Sequence, residues 1–278
     1  MRAAVLLDLD EVMFLEPSFD RLLDGVYTSM LTCLRSSEGH LLINENEDPM
    51  AVAMKDEEGW KACSFTLRKP TEALFDKLEQ IDIEIYQEKK SEWEAAVREY
   101  YSLQVMSKVP PSVEDFSVER ANSLRELLRE IWRGERRGPC LDACCGSGIG
   151  SAVLRRIGMS PLAFDNDPSL LSRGLAARRL LPEETMWIDA SKATNYMRSV
   201  GHGLLPMAGE INPFNSLLWR GVVEQILDLT DRTIITTGTE KEAKLLEEWA
   251  LKDGRAVRRF ENNRDPFYDH WVCDIKRK

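Results

Sequence analysis

An acidic residue followed by closely spaced glycines is the part of this sequence best suited to hold a cofactor. Asp142 follows the apolar run 139–141, which predicts a short buried strand, and residues 152–157 predict an amphipathic helix. Between them lie Gly146, Gly148 and Gly150. Glycines allow positive φ and close approach of a ligand, and the free N–H groups at a helix start favour polar or anionic groups. This pattern indicates a nucleotide-type cofactor site.

The glycine spacing separates two kinds of cofactor. Dinucleotide dehydrogenases use G-x-G-x-x-G, in which the third glycine stands five residues after the first. Counted from Gly146, that position is Ser151, so the nicotinamide interpretation fits poorly. The pattern that fits is D-x-x-x-G-x-G-x-G, which begins at Asp142.

Two further acids follow at the ends of apolar runs. Asp165 ends the run 161–164, lies 15 residues past Gly150 and is followed by Asn166-Asp-Pro168. Asp189 ends the run 186–188 and precedes Ala190. An acid that ends the second strand can accept hydrogen bonds from ribose hydroxyls. We therefore expect both acids at the same edge as the glycine loop.

These three motifs, in order and at this spacing, resemble those of the class I, seven-stranded S-adenosylmethionine (SAM)-dependent methyltransferases. The first motif of that family is hydrophobic-D/E-x-G-x-G-x-G, and Cys144 stands where its first glycine is usual. The resemblance implies that the loop backbone holds the methionine end, Asp165 the ribose and Asp189 the adenine amine, with a neighbouring apolar side chain against the ring. The complete predicted cofactor-binding set is Asp142, Cys144, Gly146, Gly148, Gly150, Asp165, Asn166, Ile188, Asp189 and Ala190.

A fourth motif concerns the methyl acceptor. Asn212-Pro213-Phe214 begins 23 residues after Asp189 and resembles the N/D-P-P-Y/F motif of amino-group methyltransferases, with one proline missing. The resemblance implies that the Asn212 side chain and a proline carbonyl orient a target amine. Residues 204–209 make a poor strand because proline and glycine interrupt them. An ordinary turn at Asn212-Pro213 is the other interpretation.

The flanking elements complete an α/β domain, a Rossmann-like seven-stranded sheet flanked by helices, over residues 111–278. The patterns predict a leading helix at 118–132, a fifth strand at 232–238, a helix at 240–252 and a closing antiparallel pair at 255–260 and 270–275. Between that pair lies the polar loop 261–269, which is either a turn or an aid to substrate recognition.

Residues 1–110 predict a small α+β accessory domain for substrate recognition, a lid or oligomerisation, so a homodimer is possible. Strands are expected at 41–43, 51–54 and 63–67, and a mostly helical segment at 71–103. Asp8-Leu-Asp10 resembles the first motif of haloacid-dehalogenase-type phosphatases. Helix and hairpin patterns follow it instead of that fold's sheet, which favours a simple strand ending in an acidic turn.

Charge is unevenly divided along the chain. Residues 1–110 contain 12 Lys plus Arg against 22 Asp plus Glu, a net charge of −10, whereas residues 111–278 contain 25 of each. A domain that positions nucleic acid usually presents a basic face, so nucleic acid is the less favoured substrate. Arg173, Arg178 and Arg179 could bind phosphate, but their helical spacing favours a solvated helix face.

Composition sets the remaining bounds. The chain of 278 residues is 43% hydrophobic and 30% charged, which is typical of globular proteins. No apolar run approaches the roughly 20 residues of a membrane span, and the first residues carry no signal pattern, so we expect a cytoplasmic protein without membrane contact. Six scattered cysteines and three isolated histidines show no metal-binding spacing, so no metal is expected.

The sequence therefore predicts a SAM-dependent methyltransferase that acts on a small molecule or a protein side chain by in-line transfer. No strong general base is evident, which suits an amine or thiol acceptor. A tRNA or rRNA methyltransferase is one alternative. The other is a SAM-binding protein without catalysis, because the fourth motif is imperfect.

Overall fold

The computed structural model describes residues 1–135 and 138–278. The chain divides into two compact units, Met1–Gln104 and Val105–Lys278. The division falls inside the helix Lys90–Lys108, a few residues before the 110/111 boundary expected from the prolines that follow this helix.

The first unit is a mixed sheet with short helices. Its strands are β1 (Met13–Phe14), β2 (Glu38–Ile43), β3 (Pro49–Asp56), β4 (Gly59–Ser64) and β5 (Asp82–Gln87). Its helices are α1 (Arg2–Leu6), α2 (Val26–Thr32), α3 (Glu72–Leu78) and most of α4 (Lys90–Lys108). The strand order is β1-β4-β3-β2-β5, with β3 antiparallel to both neighbours and with β1 and β5 parallel to theirs.

One expectation for this unit was wrong, and another did not include a strand. The residues before Asp8 form helix α1 rather than a strand, and Asp8 itself lies in a turn with φ 55°. The segment 71–103 is mostly helical, as expected, but β5 separates α3 from α4. The signal for β5 was present in the strict alternation Asp82-Ile-Glu-Ile85, a strand period that the surrounding helical residues obscured.

The second unit alternates strands and helices. Its strands are β6 (Pro139–Ala143), β7 (Ser160–Asp165), β8 (Thr185–Trp187), β9 (Val200–Leu205), β10 (Thr230–Thr237), β11 (Ala256–Glu261) and β12 (Trp271–Lys276). Its helices are α5 (Val118–Ile131), α6 (Ile149–Arg156), α7 (Pro168–Ala176), α8 (Ser216–Leu229) and α9 (Glu240–Lys252). Helix α8 was not predicted, although its buried Val222, Val223, Ile226 and Leu227 have helical spacing.

These strands form one seven-stranded sheet in the order β11-β12-β10-β9-β6-β7-β8. Strands β6 to β10 run parallel, and β12 is antiparallel to both β10 and β11. The order reverses between β6 and β9, and in such sheets ligands bind at the carboxyl ends of the strands beside this reversal. The predicted sheet and its closing antiparallel pair are confirmed.

Helix α5 shows how the core of this unit forms. Ser117 caps its start by accepting a hydrogen bond from the Arg120 N–H, at 3.2 Å. The side chains expected on one face are all buried: Ala121, Leu124, Leu127, Leu128 and Ile131. They pack in one cluster with buried residues of α6 and of the central strands. Burial of each leucine contributes about 1.5–3 kcal/mol, so this face fixes the helix against the sheet.

Within the described residues, no helix is long and apolar enough to cross a membrane. The same part of the chain contains no group of three histidine, cysteine or acidic side chains arranged to hold a metal ion.

Candidate functional site

The site predicted from the motifs lies at the carboxyl edge of β6, β7 and β8. Asp142 is the second-to-last residue of β6, Asp165 ends β7, and Asp189 follows β8 by two residues. The register pairs Asp165 with Trp187 across β7 and β8. The three acids therefore follow neighbouring parallel strands at one edge, as expected.

The loop between β6 and α6 can be built only with small residues. Gly148 is the N-cap residue of α6 and has φ 86°, a conformation that residues with a side chain rarely adopt, and a Cβ there would lie 2.7 Å from Leu180. A Cβ on Gly150 would overlap the Asp142 carboxyl group, whose carbon would be 2.7 Å away. Cys144 also has positive φ, at 49°. A non-glycine residue at positive φ is uncommon, and glycine would adopt this conformation at no steric cost.

Asp142 lies beneath this loop and is fully buried. Its Oδ2 accepts a hydrogen bond of 2.6 Å from the Ser151 hydroxyl, and its Oδ1 has no partner among the described residues. Burial raises the pKa of this carboxyl group to about 7. In this geometry Asp142 supports the first turn of α6, and a ligand above the loop would meet the backbone and not this side chain.

Asp165 ties the glycine loop to the neighbouring strand. Its Oδ2 accepts from the Gly146 N–H and its Oδ1 from the Asp167 N–H, each at 2.8 Å. Burial raises the pKa of Asp165 against the lowering effect of these bonds. A carboxylate has about four acceptor positions, so further donors can still bind it.

The third acid borders an apolar floor. Asp189 is exposed, and its Oδ1 accepts from the N–H and the hydroxyl of Ser191, at 2.9 and 2.8 Å. Ile188 and Ala190 on either side are buried. The Trp187 indole donates to the Asn166 carbonyl oxygen at 3.1 Å. Trp187 was absent from the predicted set, although it directly precedes Ile188 in the third motif.

A segment upstream of α5 packs onto the same loop, and we call residues 112–117 the strap. The Asp115 carboxylate accepts from the Ser147 hydroxyl at 2.5 Å. Arg179 donates to the Ser147 carbonyl oxygen at 2.8 Å, pairs with Glu114 at 3.0 Å and lies over the Phe116 ring. The strap therefore holds the middle of the glycine loop.

These contacts correct the expectation of a solvated arginine face. The Arg179 side chain is only 11% exposed, and Arg173 donates to the Ser112 carbonyl oxygen at 2.7 Å. Only Arg178 is exposed as expected. Sequence spacing could not reveal this, because Ser112 lies 61 residues before Arg173 and Glu114 lies 65 residues before Arg179.

The fourth motif follows β9 and forms a turn into α8. The Asn212 Oδ1 accepts from the Phe214 N–H at 2.9 Å, and the Asn212 carbonyl oxygen accepts from the Ser216 N–H at 2.9 Å. The Phe214 ring is fully exposed, and Pro213 is exposed beside it. The strand before the motif begins at Val200 and ends at Leu205, so Pro206 does not interrupt it. The turn interpretation describes this geometry, and the Asn212 Oδ1 keeps one acceptor position.

The Glu242 side chain of α9 stabilises this turn by hydrogen bonding. Its Oε1 accepts from the Ile211 N–H at 2.9 Å, and its Oε2 accepts from the Thr239 hydroxyl at 2.6 Å. The turn at Asn212 therefore follows the end of β9 at the same edge of the sheet as the glycine loop.

No protein-family model and no curated protein sequence matches this chain. Solved structures that are similar to it include magnesium protoporphyrin IX methyltransferase from Synechocystis PCC 6803, at 13% identity, covering 66% of this chain and 97% of that one, with a TM-score of 0.46. A TehB-like SAM-dependent methyltransferase from Corynebacterium glutamicum has 20% identity, coverage of 66% and 98% and a TM-score of 0.43. The ribosomal protein L11 methylase from Lactobacillus delbrueckii has 13% identity, coverage of 59% and 81% and a TM-score of 0.45.

Proposed function

We propose that this protein is a SAM-dependent methyltransferase acting on a small molecule or a protein side chain. The observation that carries the proposal is the hydrogen bond from the Gly146 N–H to the Asp165 carboxylate, with Asp189 at the same edge of the sheet. This arrangement gives the edge two carboxylates beside a glycine loop that opens a helix, as a nucleoside with a polar tail requires.

The residues fit that cofactor by their donors and acceptors. Asp165 would accept from the ribose hydroxyls through its remaining lone pairs, with the exposed Asn166 beside it. Asp189 would accept from the adenine amine through Oδ2, while Ser191 occupies Oδ1. The loop N–H groups from Gly146 to Gly150 would receive the methionine end, and Asp142 would support them from below.

The cofactor would supply an activated sulfonium methyl group, so the chain needs to position the acceptor more than to activate it. Holding donor and acceptor in line at contact distance and excluding water lower the barrier to transfer. Asn212 would orient the acceptor through its Oδ1, and the exposed Phe214 would lie against it. Asp142, whose pKa is raised to about 7, is buried too deeply to act as a base, which favours an amine or thiol acceptor.

The accessory unit bears on the choice of acceptor. Residues 1–110 carry a net charge of −10, which would repel a phosphate backbone. This charge favours a small molecule or a protein side chain over tRNA or rRNA. We propose that the same residues recognise the acceptor, cover it, or pair two protomers. Sedimentation of the purified chain tests the pairing.

Calorimetric titration with SAM and with NAD tests the cofactor. We expect SAM to bind and NAD not to bind. Asp165→Asn should weaken SAM binding by about tenfold or more, since it removes charge and one acceptor at the ribose position. Asp228→Asn at an exposed position on α8 is the matched control and should bind as the wild type does. Absent SAM binding, or binding that Asp165→Asn leaves unchanged, contradicts the proposal.

Incubation with methyl-labelled SAM and a fractionated cell extract tests the acceptor. Label in protein or in small molecules supports the proposal, and label in RNA favours the RNA methyltransferase alternative. If SAM binds and no fraction becomes labelled, the protein binds the cofactor without catalysis.

A further inference from the structure

A cavity rich in arginine lies at the opposite edge of the sheet from the glycine loop. Its volume is about 470 Å³, and it is lined by the last turns of α5 and α6. Arg129 and Arg133 reach it from α5 and the residues that follow, and Arg155 and Arg156 from α6. We call this feature the basic cavity.

Three of these four arginines have no counter-charge. Arg155 pairs with Glu184 at 2.6 Å, and the one acid of the cavity wall, Glu135, is occupied by Arg232 at 2.5 Å. In the described parts of the chain, no carboxylate lies within ion-pair distance of the remaining three, Arg129, Arg133 and Arg156.

Neighbouring arginines at this edge are neutralised. Arg232 and Arg258 share the buried Asp274 carboxylate, at 2.8 and 3.4 Å. The unpaired guanidinium groups are also not needed to satisfy the end of α6, because the N–H groups of Gly158 and Met159 bond its last carbonyl oxygens at 3.0 Å. Arg129, Arg133 and Arg156 are exposed, so solvent and salt reduce the repulsion among them, and a bound anion would relieve what remains.

We propose that the basic cavity binds the phosphoryl group of a ligand. The guanidinium group presents its N–H donors in a planar fork that matches phosphate oxygens, and the cavity offers several such forks without a competing free carboxylate. The volume exceeds that of a single phosphate, so the cavity has room for part of the molecule that carries it. A phosphorylated small molecule and a nucleotide chain share this chemistry. The site requires no methyl transfer and does not depend on the proposed function.

The test compares two triple variants of the intact chain. Arg129→Gln, Arg133→Gln and Arg156→Gln together remove the unpaired charges of the cavity. Arg21→Gln, Arg35→Gln and Arg198→Gln form the matched control, because these arginines are exposed and carry no ion pair within the described residues. Inorganic phosphate and pyrophosphate are titrated by calorimetry, and a short labelled oligouridylate by fluorescence anisotropy, without SAM, at about 50 and about 200 mM salt.

We expect at least one probe to bind the wild type and the control alike, and to bind the cavity variant about tenfold or more weakly. Arginine-dependent binding of phosphate or pyrophosphate alone identifies a phosphorylated small molecule. Oligouridylate binding with a salt slope that falls in the cavity variant identifies a nucleotide chain. If no probe binds the wild type, or both triple variants weaken binding equally, the proposal is overturned. Should the cavity variant melt early, Arg156→Gln alone replaces it, and unchanged binding in that variant also overturns the proposal.

Discussion

Gly150 lies against the buried carboxylate of Asp142, where no side chain fits. We expect Gly150→Ala to destabilise the second unit by about 2–4 kcal/mol, since the added methyl group would force apart a fully buried pair. Urea unfolding measures the loss. Gly221→Ala is the control: Gly221 lies inside α8 with open space around it and should gain about 0.5–1 kcal/mol. Equal effects of the two substitutions would contradict the close packing at Gly150.

Asp142 makes the stability of the protein depend on pH. Its pKa is raised from 3.8 to about 7 in the folded chain, so the folded state keeps a proton that the unfolded state loses. Stability is therefore unaffected by this group below pH 4 and falls as the pH rises towards 7, by up to about 4 kcal/mol. Asp142→Asn has no ionisation at this position. We expect the urea midpoint of the wild type to fall relative to that of Asp142→Asn between pH 4 and pH 7, and parallel pH profiles would refute this.

The acids of the site could be predicted residue by residue, because each ends an apolar run. The role of Arg179 could not be predicted, because its contacts are distant in sequence. Glu114 of the strap lies 65 residues before Arg179, and Ser147 of the glycine loop lies 32 residues before it. Ser147 and its own strap partner, Asp115, are also 32 residues apart. Spacing along a helix identifies a face but not what covers it. For the same reason the sequence does not distinguish the two interpretations of Asn212, whereas the hydrogen bond from the Phe214 N–H to its Oδ1 is that of a turn.

At the scale of elements, the strap and the glycine loop should behave as one unit. Arg179→Gln removes the ion pair with Glu114 and weakens the hold on Ser147. We expect faster hydrogen exchange across residues 112–117 and weaker SAM binding, with less than about 1 kcal/mol lost from global stability. The exposed neighbour supplies the control, since Arg178→Gln should change none of these. Unchanged exchange in the strap of Arg179→Gln would show that other contacts hold it.

The N-terminus of helix α9 is stabilised by a capping box formed by Thr239 and Glu242. Thr239→Ala should cost about 1 kcal/mol, because it leaves the Glu242 N–H without its acceptor. Thr239→Ser keeps the hydroxyl and should cost much less. Thermal unfolding of the two variants makes the comparison, and equal losses would indicate that the Thr239 methyl group rather than the cap is responsible.

The helices and strands were predictable where the apolar residues followed one clear periodicity, either helical or strand-like. The buried face of α5 agrees with the prediction at every position, because five apolar residues recur at helical spacing. Helix α1 was predicted as a strand because residues 3–7 are all apolar. A continuous apolar run has no periodicity that distinguishes a helix from a strand. Strand β9 contains two glycines and is held in the sheet by its pairing with β6 and β10 on either side. No local sequence pattern reveals this pairing.

At the scale of the whole molecule, the two units should respond differently to the cofactor. A ligand that binds only the folded second unit stabilises it by mass action, by about 2.7 kcal/mol at one hundred times its dissociation constant. We expect saturating SAM to slow hydrogen exchange throughout the core of residues 105–278 and to leave the sheet of residues 1–104 unchanged. Equal protection of both units would show that they unfold together. Unchanged protection of both would contradict SAM binding.

The six cysteines of the chain differ in burial and therefore in chemical reactivity. Burial raises the pKa of the thiols at Cys140 and Cys145 well above its usual value and also raises that of Cys144, so little reactive thiolate forms beside the glycine loop. Cys33, on the accessory unit, is the only exposed cysteine of the six, and all six are described. A maleimide fluorophore should therefore attach at this one position in the native chain, which provides an optical reporter on the accessory unit without mutation and leaves the glycine loop unmodified.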